Sequence, residues 1–519
     1  VIEIMQHHPS RLTLAIAFLY VLGAAITDAP AYELSRGRQI LLQRGLQVEG
    51  FVFNPYFTPN NEMWSRTGFT SIQITHQNAS LIAGLPSNSL WGRSFYPGVE
   101  DYRYLADGEM QHANEYLSFR YGDELLDVAD PARQNDMRTT YDNWNTLYPN
   151  TLAFTNFWGG QLDANALKSY METTRPDMLM FDHYLGLFST RETWYAEMCK
   201  YRTTALAGFD GSGTKPLPYA QYTRAFLRNG YSDPLPGESF VRVQHFASWA
   251  FGYTFTSAFV YNTPFNAEPG TAYSAMFSTE GDSNPTPVFG YVAETNRQSR
   301  NLGPALVRLV STDIRIIPAT YATHQERYWD WGWKYRTVDD NLAMPEGISE
   351  WSRGAGGDNY ITGITPLGND NGVSHVHGDV LIGYSRPLLA SNPGCTFADG
   401  LHFMIVNGRG TSESEWWDST GTTAESMAEW YRLTFDFTGS QFDSLVRLSR
   451  ETGQVELVAL NPLGASRYSL DLYLEGGTGD LFRFWDSSNP LPSVPEPGAL
   501  VLTATGFIGL LVYRRKQRR

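Results

Sequence analysis

The chain has 519 residues, 42% hydrophobic and 18% charged, which excludes a disordered polymer. A formal net charge of -15 argues against a nucleic-acid partner. Only Cys199 and Cys395 are present, and no Cys or His spacing fits zinc, so neither a disulfide framework nor a metal centre is expected, and no cofactor is called for.

Arg11 precedes an uncharged apolar stretch, Leu12 to Ile26, and Ala29-Pro30-Ala31 follows it. A basic region, an apolar region and an A-x-A site in that order predict a secretory signal peptide over residues 1–31, leaving Tyr32 as the new N-terminus.

Residues 32–318 alternate short apolar runs with helical patterns. Strands are predicted at Val48–Tyr56, Thr70–Gln77, Leu90–Phe95, Tyr116–Glu124, Thr151–Trp158, Met178–Tyr184, Leu217–Thr223 and Ser257–Asn262. Helices are predicted at Glu100–Glu115, Ala132–Leu147, Ala164–Thr174, Thr190–Arg202, Ser239–Phe251 and Val288–Val310. Such alternation predicts βαβ units, and eight strands in roughly 260 residues match an α/β (β/α)8 TIM barrel. An open doubly wound sheet competes, but no G-x-G-x-x-G turn follows an early strand.

Residues 319–486 read as a β-sandwich, with short strands at Gly378–Ser385, Leu401–Val406, Tyr431–Phe437, Leu445–Ser449, Val455–Ala459 and Tyr468–Leu474, and a last one at Leu481 to Phe484. Residues 487–493 are a polar, proline-containing linker. The tail, residues 494–519, joins Pro495-Glu496-Pro497, an uncharged run from Ala499 to Tyr513, and Arg514-Arg515-Lys516-Gln517-Arg518-Arg519. The apolar run predicts one short transmembrane helix, with the basic end cytoplasmic. These three parts together resemble the PEP-CTERM sorting tail of bacterial exported proteins. The resemblance implies the Sec export machinery and an exosortase as partners. It also implies an inner-membrane anchor before sorting, and the cell surface or extracellular matrix after it.

Active sites of such barrels lie at the C-terminal ends of the strands. The predicted strand ends supply Asn54 and Tyr56, His76, Arg93, Asp123 and Glu124, Asn156 and Trp158, Asp182, His183 and Tyr184, Gln221, and Tyr261 with Asn262. Acids, amides and aromatic rings together suit a neutral, hydroxyl-rich ligand. Trp158 and Tyr261 fit sugar platforms and core packing equally. Asp123 and Asp182 also fit loop hydrogen bonding or pairing with Arg93 or Arg120. The Phe265–Pro287 insertion, rich in Gly, Pro and Ser, is a candidate lid or rim loop.

Leu117 to Glu124, Val241 to Phe246 with Ser257 to Tyr261, and Asn301 to Leu306 together resemble the clan of TIM-barrel glycoside hydrolases that includes beta-galactosidases. That resemblance implies a carbohydrate ligand and makes Glu124 the general acid, and the strand-end residues Asn54, His76, Asp123, Trp158, His183, Gln221 and Tyr261 are then the expected substrate-binding positions. It also places the nucleophile at the end of strand seven, where this chain has Gln221, and an amide cannot form a glycosyl ester. Asp182 is the substitute carboxylate, a base for inversion if it stands ~6.5–9.5 Å from Glu124. Three readings stand: a glycosidase, a non-catalytic carbohydrate-binding barrel, and an exopolysaccharide-associated structural protein.

Overall fold

The computed structural model describes residues 32–495 except 54–56, 88, 99–102, 188, 231–232, 234, 263–270, 279–280, 321–322, 330–332, 340–343, 370–376 and 411–422. The expected signal peptide, the apolar tail with Glu496 and Pro497, and Asn54 with Tyr56 lie outside the described residues. Among the described residues no helix is long and apolar enough to cross a membrane.

The parallel strands are β1 (Gln47–Val52), β2 (Ser71–Ile74), β3 (Leu90–Phe95), β4 (Tyr116–Tyr121), β5 in two segments (Leu152–Phe154 and Asn156–Trp158), β6 (Leu179–Asp182), β7 (Tyr219–Arg224) and β8 (Phe255–Phe259). They form one sheet of nine segments in the order Leu152–Phe154, β4, β3, β2, β1, β8, β7, β6, Asn156–Trp158. The two end segments are the halves of β5, with Thr155 alone between them, so the sheet all but closes into a barrel. A helix follows each strand: α2 (Asn61–Thr67), α3 (Ala79–Gly84), α4 (Asp107–Met110), α5 (Pro131–Leu147), α6 (Ala164–Thr174), α7 (Arg191–Ala207), α8 (Glu238–Phe251) and α9 (Pro287–Leu306). The longer helices start on capping residues. Asp130 precedes Pro131, Asp163 accepts from the Ala166 amide, and Thr286 precedes Pro287.

Helix α1 (Arg36–Arg44) precedes β1 and closes the N-terminal end of the barrel. Ile40 and Leu41 join Leu152, Phe154, Met178, Met180, Ala220 and Phe255 in one buried cluster. Arg36 pairs with Asp177, and a Cβ at Gly37 would lie 2.1 Å from the Asp177 carbonyl oxygen, so only glycine lets the helix approach this closely.

Three expectations need correction. The helix predicted over Glu100–Glu115 is reduced to α4 among the described residues, because the Glu109 carboxylate is taken by Arg93 Nη1 at 2.7 Å and by the Ala106 amide at 2.9 Å. Helix α9 stops at Leu306 rather than Val310. Leu309–Ile317, assigned to the barrel from sequence, pairs antiparallel with Val380–Pro387 in the second unit. Several strands end earlier than predicted, β1 at Val52 and β4 at Tyr121, so the residues of the barrel mouth ride on loops.

The second unit has a seven-stranded sheet, from Ser349–Glu350 through Leu309–Ile317, Val380–Pro387, His402–Asn407, Gly479–Trp485 and Ser444–Leu448 to Val455–Val458. A four-stranded sheet holds Ile361–Gly368, Glu429–Asp436, Arg467–Leu474 and Asn461–Gly464. Alternating residues of the two sheets, among them Ile382, Phe403, Phe482, Leu433 and Leu472, share one core. Helix α8 packs against the seven-stranded sheet and is buried from Ser239 to Phe251. Arg191 pairs with Asp379, and Arg242 with Glu475 at 2.7 Å, across the boundary. Cys199 and Cys395 are free thiols, both buried.

Candidate active site

Strand β4 carries the chain to the C-terminal mouth of the barrel and stops at Tyr121. Gly122 and Glu124 then take left-handed backbone conformations, with φ of 65° and 50°. A glutamate in that region is uncommon, and such strain concentrates at functional sites. The turn is held by the Glu124 amide, which donates to the Asn156 carbonyl at 3.0 Å. Asn156 lies on β5, and Asp182 is the last residue of β6.

These side chains meet. Asn156 Nδ2 donates to Asp123 Oδ1 and to Asp182 Oδ1, each at 3.0 Å. The carboxyls of Glu124 and Asp182 are hydrogen-bonded to one another. Two carboxylates in contact cannot both ionise, so the pair shares a proton. Burial, then the Asp123 charge, pushes Glu124 up from the usual carboxylate range. Burial first, then Glu124 and Asp123, holds Asp182 well above it. The contact is closer than the ~6.5–9.5 Å of an inverting pair and leaves no room for a water between the two groups.

Arg120 anchors the floor. Its side chain is buried. Nε donates to Ser94 Oγ at 3.0 Å, Nη1 to Asp123 Oδ1 at 3.0 Å and to Tyr222 Oη at 2.6 Å, and Nη2 to Tyr96 Oη at 3.0 Å. It also lies 5.0 Å above the Phe51 ring. The acids open into a pocket of about 230 Å³, walled by Tyr184, Tyr222, Phe226 and Phe259, with Arg228 and Ala272 at its edge. Phe226–Arg228 pairs antiparallel with Ala272–Ser274, so part of the expected Phe265–Pro287 rim insertion does reach this pocket.

The other expected positions separate. Trp158 shares a strand face with Asn156, stands beside Asp182 in register, and is 36% exposed. Gln221 points the other way. It accepts from Trp194 Nε1 at 3.1 Å and donates to Ser248 Oγ at 2.6 Å and to the Gln244 carbonyl at 3.3 Å, all on the helix layer. Tyr222, the next residue, takes the pocket-facing place. His183, one residue past Asp182, packs against Gly159 outside the pocket, and burial with nearby Lys200 lowers its ring to about 4. His76 is half-buried beside Thr75 and does not line the pocket. Tyr261 is core: it packs on Phe57, Trp64, Phe69 and Phe277 and donates to Asp282 Oδ2 at 2.9 Å. Arg93, expected on the rim, is buried against Glu109.

Arg120, Tyr222, Phe226, Arg228 and Phe259 were not among the expected binding residues. Strict alternation along β4 and β7 carries the signal for two of them, since Arg120 and Tyr222 sit mid-strand rather than at a strand end. Among the described residues no group of three or more His, Cys, Asp or Glu could hold a metal ion.

No family model matches the chain, and no curated protein is similar to it. Among solved structures it is similar to a glucosidase from Croceicoccus marinus, at 10% identity and a TM-score of 0.36 over 85% of this chain and 96% of that one. It is also similar to a putative alpha-galactosidase from Bacteroides fragilis, at 7% identity and a TM-score of 0.37 over 86% and 80%. A beta-galactosidase from Bacillus circulans matches at 10% identity and a TM-score of 0.37 over 52% of this chain and 58% of its own.

Proposed function

We propose that this chain is a glycoside hydrolase-like protein on a (β/α)8 barrel, acting on polysaccharide or oligosaccharide. Glu124 is its general acid and Asp182 the second carboxyl. The observation that carries the reading is the meeting of Glu124 and Asp182, with Asp123 and Asn156, at the mouth of the barrel in one pocket walled by aromatic rings. An acid held above the usual carboxylate range is what protonation of a leaving oxygen requires. Rings beside acids and an amide suit the apolar faces and hydroxyls of a sugar.

The two carboxyls are in contact. A glycosidic bond flanked by both needs them ~5 Å apart or more, so the sugar must part the pair as it enters. Glu124 is the group able to swing, because it stands on a loop while Asp182 ends a strand. The contact, together with Gln221 facing the helices, favours a second reading: a barrel that binds carbohydrate without cleaving it.

One experiment separates the two. The purified chain is offered a panel of oligosaccharides, and both binding and released sugar are measured for the parent and Glu124→Gln. The first reading expects cleavage by the parent, none by the variant, and binding by both. Binding without cleavage by the parent selects the second, and cleavage by Glu124→Gln at the parent rate defeats the first.

Sequence alone supports the proposal that the protein is exported through Sec and sorted by an exosortase to the cell surface or matrix. Changing Pro495, Glu496 and Pro497 together should leave it in the inner-membrane fraction, and unchanged surface delivery would refute the sorting role.

A further inference from the structure

Below the pocket the barrel lumen holds a further acid. Glu49 lies on β1, on the same strand face as Phe51, whose ring sits under the Arg120 guanidinium. It is 1% exposed. Its Oε1 accepts from Ser257 Oγ at 2.8 Å, and its Oε2 has no hydrogen-bond partner among the described residues. An ionised carboxylate would not be left this way in a closed interior, because no ion pair among the described residues meets its charge and half its acceptors go unsatisfied. In register on either side of it stand Ser71 of β2 and Ser257 of β8, and neither is a cation that would hold a charged glutamate.

The surroundings tie Glu49 to the mouth of the barrel. The groups that bear on its charge are Arg120 from β4, which sits over the Phe51 ring two residues along the same face, and the Tyr222 phenol from β7, to which Arg120 donates at 2.6 Å. Four of the Arg120 donor bonds already go to Ser94, Asp123, Tyr222 and Tyr96. Asp123 in turn bonds Asn156, which bonds Asp182. A continuous line of contacts therefore runs from Arg120 to the Glu124–Asp182 pair.

We propose that Glu49 is a positioning residue of the pocket, a buried acid that acts on Asp123 and the Glu124–Asp182 pair through Arg120. While Glu49 is neutral, the Arg120 charge is spent on Asp123 alone. When Glu49 ionises, it draws on the same guanidinium, and the Asp123 charge bears more fully on the pair. Burial places that ionisation at about 8. The inference goes beyond hydrolysis and holds equally for a binding barrel.

The test is an infrared titration of protonated carboxyl groups in the full chain from pH 5 to pH 10, for the parent, Glu49→Gln and Ser257→Ala. Glu49→Gln keeps the size of the side chain and its contact with Ser257. It is expected to erase a one-proton step at about pH 8, and to leave the pocket pair less protonated than in the parent above that pH, where the parent's Glu49 is charged. Ser257→Ala removes a hydrogen bond that favours the charged form, so its step should move to higher pH. A step near pH 8 that survives Glu49→Gln overturns the proposal. So does loss of that step with no movement of the pocket pair, which would make Glu49 an isolated buried acid. If Glu49→Gln does not fold, a step that stays in place in Ser257→Ala overturns it.

Discussion

Replacing Gln221 with Glu tests which way strand β7 faces. If Gln221 faced the pocket, the substitution would install a carboxylate opposite Glu124, and a catalytic gain could follow. The structure places the side chain among Trp194, Gln244 and Ser248, 1% exposed. There a glutamate keeps the bond from Trp194 Nε1 but loses at least one donated hydrogen bond, costing about 1 kcal/mol. It also faces burial without a cation. Glu49, equally buried in the same barrel, is pushed from 4.5 to about 8. A similar shift at position 221 costs about 3 kcal/mol at pH 7, from roughly 2.5 pH units above the unfolded value. The sign follows from the raised folded-state value. The penalty is absent below about pH 4.5, grows as pH rises, and levels off above about pH 8. Urea unfolding followed by tryptophan fluorescence should therefore show Gln221→Glu less stable than the parent by about 4 kcal/mol at pH 7. At pH 5 the difference should fall to about 1–2 kcal/mol, and no new hydrolysis should appear. Parent-like stability at pH 7, or an equal loss at both pH values, would refute the outward-facing placement.

Trp158→Ala, at the exposed end of β5, should weaken oligosaccharide binding by about tenfold with a stability change below about 1 kcal/mol; titration calorimetry and thermal unfolding check both. Tyr261→Phe removes only the bond to Asp282, so binding should be unchanged and stability should fall by about 1 kcal/mol. A loss of binding in that variant would restore Tyr261 as a platform. Gly37→Ala forces a Cβ to within 2.1 Å of the Asp177 carbonyl oxygen. Displacing helix α1 should cost about 2–3 kcal/mol in unfolding free energy, whereas an unchanged unfolding midpoint would mean that the helix can shift at no cost.

The alternation of short apolar runs with helical patterns was enough to read the barrel, because parallel strands buried on both faces need continuous apolar runs and each crossover needs a helix. The same reading found Asp123, Glu124, Asn156 and Asp182, which the fold brings into one pocket, since all four stand at or just past the C-terminal ends of neighbouring strands. What sequence left undecided was the face on which each side chain falls. A strand's side chains alternate, so one residue of register separates Tyr222 in the pocket from Gln221 among the helices, and Asp182 from His183. Tyr261 illustrates the other limit, because an aromatic residue past a strand end fits a sugar and a core equally until its neighbours are known. Contacts made across the barrel were beyond any local pattern. The partners of Arg120 come from positions 94, 96, 123 and 222. Ser94 comes from the adjoining β3, Tyr96 from just past its end and Asp123 from the turn after β4, but only closure of the sheet brings Tyr222 within hydrogen-bond reach. Closure likewise brings Glu124 against Asp182, and their proton follows from that contact rather than from either residue alone.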